Sequence, residues 1–391
     1  MIEQLEIKNF RGFSEYKIED IGQVNLLVGT NNSGKTSVLE AVHLLKSRGD
    51  ASCFFSLFVR RGERIQSENP MIHEGEADLC RLFHGFTLTE LSSFSISCFE
   101  NNLNENLTTF IKEFSSPPTR TASSWEEYLP EEQNDFFPGS YTLQVLWNRK
   151  EESKSTAQWG RESEQTSESY PISVDGGVPY SLLRRVHINP NNTKSEKLEF
   201  VPASSLTSQK IVALFDKTVL TSDEQLVLDA LKIIEPDIIR LASLGGGHQY
   251  PGYSSSELPR GGIFVKSSKW EERIPIGSFG DGIWRLLGLI LSLVGAKNGT
   301  LLIDEIDTGL HHTVMSKMWK LICITAKKLN VQVFATTHSS DCWKTLADNA
   351  VEDEFADMPI RIHRINKDKK RPETFTNKEM HLAVDHEIEV R

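Results

Sequence analysis

Thirteen residues near the start constrain this chain more than any others. Val24–Val28 is a near-continuous apolar run, and it ends in Gly29-Thr-Asn-Asn-Ser-Gly34-Lys35-Thr36, which fits G-x-x-x-x-G-K-[ST]. Val38, Leu39, Val42 and Leu45 then recur at helical spacing. Strand, glycine loop and helix in this order point to an α/β fold with a phosphate-binding turn. Glycines let the backbone turn tightly so that successive N–H groups face phosphate oxygens. The helix N-terminus adds its positive dipole end. In such a loop Lys35 reaches the β- and γ-phosphates of a nucleotide, and the Thr36 hydroxyl holds Mg²⁺. The phosphate-cradling set is therefore Gly29, Asn31, Asn32, Ser33, Gly34, Lys35, Thr36 and Ser37. The competing reading is a plain glycine turn, but the pattern arises by chance in only about one chain in a hundred of this length.

A second segment supplies what the first lacks. Leu301-Leu302-Ile303-Asp304-Glu305 is an apolar strand ending in two carboxylates, and a strand buried in a parallel sheet delivers such residues to the edge where ligands bind. Asp304 suits the Mg²⁺ shell, and Glu305 can orient or deprotonate an attacking water. Alone, this could equally be a solvated acidic turn; beside a phosphate loop it reads as catalytic. Two more segments gain meaning only from these. Ile276-Gly-Ser278-Phe279-Gly280-Asp281-Gly282 precedes an apolar helix, so Ser278 and Gly280 make a second anion-binding surface. Val333-Phe-Ala-Thr336-Thr337-His338-Ser339 is a strand ending in a histidine that can bond a γ-phosphate or its attacking water.

The remaining chain is organised around these ends. Residues 1–48 form an N-terminal lobe, 49–205 a β-rich insertion with loops, 206–243 a helical insertion, and 244–391 a C-terminal lobe. Within the insertions, Tyr141–Trp147 and Val186–Asn189 read as strands and 205–242 as helix, with Ser222 and Gln225 as a capping box. Toward the C-terminus, Ile283–Leu293 and Val314–Lys328 read as helices, and Thr300–Asp304, Val331–Thr336 and Pro359–Ile365 as strands. The two end lobes can share one sheet. A net charge of −11 excludes a chain that coats nucleic acid with its whole surface, and five cysteines without a CxxC pair suit reduced thiols. With no apolar run long enough for a bilayer, the expectation is a cytoplasmic protein without membrane contact.

Taken together, these residues resemble the ABC-type ATPase heads of the RecF/SMC/OLD group. LEIKNFRGF…VNLLVGTNNSGKTSVLEAV matches the group's opening, SFGDG with Arg285 its signature loop, LIDEIDTGLHH its Walker B and D-loop, and FATTHSS its switch-histidine strand. The resemblance implies an ABC-ATPase head with a mixed, mainly parallel core sheet, using ATP and Mg²⁺. It also implies a homodimer or higher homo-oligomer, with ATP on Lys35 and Thr36 of one chain covered by Ser278 and Gly280 of the other. The stretch FVPASSLTSQKIVALFDKTVLTSDEQLVLDALKIIEPDI and the ending HEIEVR look like small bacterial OLD-like ATPases. Such ATPases are often encoded beside a separate TOPRIM-type protein, as in antiviral pairs such as PARIS.

The likeness has limits. There is no zinc hook or long coiled coil, the signature differs from the LSGG-like form, and Gln66 is the sole Q-loop candidate. The 86 residues after Glu305 (391 − 305) hold no Asp-x-Asp pair, so no fused TOPRIM nuclease is expected. The alternative function is a RecF-like ATPase that clamps duplex DNA in repair. Its basic face would come from Arg60–Arg61, Arg184–Arg185 and the run Arg361, Arg364, Lys367, Lys369, Lys370, Arg371, although such runs more often form solvated surface.

Overall fold

The computed structural model describes residues 1–65, 75–113, 141–151, 164–173, 175–184, 197–243 and 262–390. Its centre is a six-stranded sheet in the order Leu198–Val201, Thr300–Ile303, Gln332–Thr336, Val24–Val28, Ile360–Arg364, Glu373–Phe375. The first five strands are parallel and the last is antiparallel to its neighbour. The phosphate-loop strand therefore lies between strands from the far end of the chain, with Leu26 opposite Ala335 on one side and Ile362 on the other.

Burial on both faces explains why these strands read as unbroken apolar runs. Side chains alternate between two cores. Leu26, Val28, Leu301, Ile303, Val333 and Ala335 face a core built with the helices Ser208–Thr218, Ser222–Ile234, Asp281–Gly295, His312–Leu329, Ser340–Ala350 and Asn377–Asp385. Leu27, Leu302 and Phe334 face the other core, which holds the helix Lys35–Lys46.

A second six-stranded sheet covers that helix from the opposite side. It is antiparallel throughout, in the order Phe13–Ile18, Ile2–Phe10, Ser93–Glu100, Leu103–Glu113, Tyr141–Glu151, Glu164–Pro171. Leu5, Ile7, Phe94, Ile96, Leu107, Val145 and Trp147 point inward from it. All residues of Lys35–Lys46 except Thr36 and His43 are buried. Each fully buried Leu or Val there contributes roughly 1.5–3 kcal/mol, so the two sheets clamp the helix whose first turn carries the phosphate loop. At its other end the buried Lys46 amine is paired with Glu100 and Glu105, and Arg149 also pairs with Glu105. This pairing offsets the desolvation of the buried charges.

The mixed α/β architecture is the one expected, and the strands and helices read from 283 onward lie within a few residues of their expected bounds. Three expectations need comment. The 205–242 segment is not one helical stretch: two helices are followed by a strand, Ile238–Ser243, paired antiparallel with Ile263–Ser267. Pro236 gives the reason, since proline cannot continue the i→i−4 ladder and pushes its predecessor out of the helical region. The second of these helices is capped by Thr221, whose hydroxyl accepts from the Asp223 N–H, and not by Ser222; Gln225 instead bonds Asp229. The strand read at Val186–Asn189 lies outside the described residues. The five cysteines are unpaired, and four of them are buried. Among the described residues no helix is long and apolar enough to cross a membrane.

Candidate active site

The phosphate loop leaves its strand through Gly29 at φ 141° and enters the helix through Gly34 at φ 105°. Both positions need glycine for space as well as conformation. A Cβ on Gly29 would stand 2.6 Å from the Ile365 carbonyl oxygen, and one on Gly34 would stand 2.4 Å from the Phe13 ring. Asn32, at φ 61°, occupies the left-handed region that asparagine tolerates better than most side chains. Asn31 and Asn32 are exposed, while Ser33, Lys35 and Ser37 are buried. The Lys35 ammonium donates to the carbonyls of Gly29 at 2.8 Å and Thr30 at 2.9 Å, and lies 3.4 Å from His338 Nδ1. Burial pulls its pKa down to about 8, against the opposing pull of Asp304 and Glu305.

The acidic strand end meets this loop directly. Thr36 Oγ1 donates to Asp304 Oδ1 at 3.2 Å, joining residues 268 positions apart. The same carboxylate oxygen accepts from Thr336 Oγ1 at 2.7 Å, and the Glu305 N–H donates to that Thr336 hydroxyl at 2.8 Å. Glu305 sits at φ 48°, strained for a side chain with a Cβ. Its carbonyl is held by Arg285 at 2.7 Å, and the same guanidinium reaches the carbonyls of Asp304, Pro202 and Ala203. Burial pulls the Arg285 pKa down, with Asp307, Glu305 and Asp304 opposing. One residue beyond the end of the switch strand, Thr337 Oγ1 donates to Asp307 at 2.6 Å.

His338 is held below the usual histidine range by burial and by the nearby Lys35 charge, with Glu305, Asp307 and Asp304 acting the other way. The ring is thus neutral at physiological pH. Because an ammonium only donates, a neutral His338 that bonds Lys35 through Nδ1 would carry its proton on Nε2.

The sequence-derived residues divide accordingly. Lys35, Thr36, Asp304, Glu305 and His338 converge on one sheet edge. Ser278 and Gly280 do not join them: they are exposed on the turn before Asp281–Gly295, and among the described residues no hydrogen bond links them to Lys35 or Thr36. Gln66 lies outside the described residues, as does Arg185. In the basic run, Arg361 is paired with Asp20, Arg364 and Lys369 with Glu373, and Lys370 with Glu15. Arg61 is paired with Glu40, and Arg60 and Arg184 stack on Phe200 and Phe55. Sequence reasoning missed Thr336 and the carbonyl-anchoring role of Arg285. Neither role can be read locally, because both side chains act on groups distant in sequence, although Arg285 follows the SFGDG loop.

The residues fit a magnesium–triphosphate group. Hard oxygens from Thr36 and Asp304 converge, as Mg²⁺ requires. No side chain caps the first turn of Lys35–Lys46, so its leading N–H groups have no intrahelical partners. The buried Ser33 hydroxyl also has no hydrogen-bond partner within the loop.

The family described as AAA ATPase domain matches residues 1–342. An ATP/GTP phosphatase of Helicobacter pylori is 22% identical over 379 residues, covering 91% of this chain and 90% of that protein. The DNA replication and repair protein RecF of a Marinomonas species is 55% identical over 42 residues, 11% of each chain. Among solved structures, a Smc head domain with an extended coiled coil bound to the C-terminal domain of ScpA derived from Pyrococcus furiosus covers 99% of both chains, at 11% identity and a TM-score of 0.42.

Proposed function

This chain belongs to the AAA ATPase domain family and is an ATP-hydrolysing enzyme of the ABC type, and from that premise we propose that it is a nucleotide-driven switch whose ATP site is completed by a second copy. The observation that carries the reading is the 3.2 Å approach of Thr36 to Asp304. In it, Lys35 and the leading N–H groups of its helix hold the β- and γ-phosphates, while Thr36 and Asp304 would hold Mg²⁺. The ion, when bound, neutralises charge on the transferring phosphoryl group. Glu305 orients the attacking water and takes its proton. His338, neutral with its proton on Nε2, donates toward the γ-phosphate. Ser278 and Gly280, exposed on their turn, cover the nucleotide of a partner copy and make assembly depend on ATP.

The finer reading is that the assembled state holds or releases a separate effector, a TOPRIM-type nuclease, in cytoplasmic antiviral defence. What supports it is the sequence resemblance of the 200–238 stretch and the chain's ending to small OLD-like ATPases. The duplex-clamping alternative is less well supported, because four of the six cations in its main candidate run already face carboxylates.

Size-exclusion chromatography of Glu305→Gln with and without Mg·ATP tests the switch. An ATP-dependent shift to dimer or larger, with turnover lost, is expected. Unchanged elution would remove the two-chain site. Capture of a nuclease with the native chain supports the effector reading, whereas salt-sensitive duplex binding supports the alternative.

A further inference from the structure

We propose that Thr336 is a positioning residue for hydrolysis, its single hydroxyl setting both the metal-side carboxylate and the catalytic glutamate. The inference deepens the proposed reading and rests on its assignment of Asp304 and Glu305.

The geometry is specific. A threonine hydroxyl has one proton to give and lone pairs to accept with. At Thr336 the proton goes to Asp304 Oδ1 at 2.7 Å, and a lone pair takes the Glu305 N–H at 2.8 Å. Asp304 Oδ1 is the oxygen that also accepts from Thr36, so Thr336 fixes the carboxylate facing the phosphate loop. The Glu305 N–H opens a backbone turn at φ 48°, and such a conformation persists only where its surroundings over-determine it. Here the restraints close around it. The N–H is held by the Thr336 side chain, the carbonyl by Arg285, and the next N–H, of Ile306, by the Thr336 carbonyl at 3.0 Å. Thr336 thus grips the turn through both its hydroxyl and its backbone.

Position and burial suit Thr336 to this role. Thr336 is the last residue of its strand and is 1% exposed. Its strand neighbour Ala335 pairs with Ile303, immediately before Asp304. Water therefore cannot readily replace the hydroxyl. Valine there keeps the shape while leaving the Glu305 N–H and one Asp304 lone pair without their partner. Serine keeps the hydroxyl and loses one methyl.

The test compares steady-state ATP hydrolysis by the full chain and by Thr336→Val, Thr336→Ser, Thr336→Ala and Glu305→Gln, with thermal unfolding alongside. Thr336→Val is expected to lose about 10- to 100-fold in kcat, the scale of misplacing one catalytic group by an ångström, with KM for ATP within about threefold of wild type. Thr336→Ser is expected to recover most of that loss. Serine and alanine differ by the hydroxyl alone, so their kcat ratio reads the effect even if the valine variant folds poorly. Wild-type kcat in Thr336→Val, or equal kcat in the serine and alanine variants, overturns the proposal. A slow variant whose defect lies wholly in KM does so too. The two readings separate cleanly: an active Glu305→Gln defeats the catalytic-base assignment, while an inactive Glu305→Gln beside a fully active Thr336→Val defeats only the role of Thr336.

Discussion

Gly34 offers the sharpest test of how the fold shapes the phosphate loop. Replacing it with alanine puts a methyl group 2.4 Å from the Phe13 Cζ and 3.1–3.2 Å from its two ring neighbours. That ring is fully buried and packs 4.6 Å from Tyr16, so it cannot swing aside freely. Overpacking of this kind costs about 1–3 kcal/mol. The backbone at φ 105° adds about 1–2 kcal/mol, because a Cβ is disfavoured there whatever the space. Together these come to roughly 2–5 kcal/mol, a large share of the roughly 5–15 kcal/mol that usually holds a domain together. Denaturant unfolding of wild type, Gly34→Ala, Phe13→Leu and the double variant separates the two parts. Leucine removes the clashing ring atoms, so the double variant should be less destabilised than the sum of the singles by about 1 kcal/mol or more. It should still fall short of Phe13→Leu alone, because the backbone strain remains. Binding of a fluorescent ATP analogue should weaken in Gly34→Ala, since the ring is relieved only by moving the helix start. Strictly additive costs would show that Phe13 is not what the glycine accommodates.

Other outcomes follow from the same geometry. Lys35 binds phosphate as an ammonium, and with its pKa near 8 its charged fraction falls from about 0.9 at pH 7 to about 0.09 at pH 9. ATP affinity should therefore drop about tenfold between those values. Lys35→Arg should flatten the dependence, and an equally steep slope in that variant would point to another group. Arg285→Met removes the guanidinium from four backbone carbonyls, of which those of Pro202 and Glu305 keep the Ser205 and Thr308 N–H groups; it should cost about 1–3 kcal/mol in urea unfolding and slow turnover. Arg285→Lys should restore only part, because one ammonium cannot span the same fork. A stability change under about 0.5 kcal/mol in Arg285→Met would sink that account.

What could be read in the sequence was whatever is written locally. The phosphate loop, the acidic strand end and the buried helix after Gly280 each announce themselves within a dozen residues. The antiparallel sheet does so only in part: Tyr141–Trp147 reads as a strand and lies within Tyr141–Glu151, but its neighbours are harder to see. Ser93–Glu100 alternates cleanly, with Phe94, Ile96 and Cys98 inward, yet its serines share the composition of a loop. In Leu103–Glu113 the alternation is broken because two inward positions carry Glu105 and Thr109. Glu105 is tolerated there only because Lys46 and Arg149 neutralise it from elements far away in sequence. Pro236 did mark the end of its helix, and weighing it would have freed Ile238–Ser243 to be a strand. Thr336 is the clearest limit: in FATTHSS it is one more strand residue until the sheet sets it beside Asp304.

The central claim is that the start of the chain and its Asp304–Glu305 turn serve one metal–nucleotide site. Electron paramagnetic resonance of Mn²⁺ uptake tests it most directly, with ATP present and absent, in wild type, Thr36→Val, Asp304→Asn and the double variant. One ATP-dependent ion per chain is expected, weakened by each single change, with the double variant losing less than the two losses combined. Uptake independent of ATP, or losses that add as if two separate ions were involved, would contradict it.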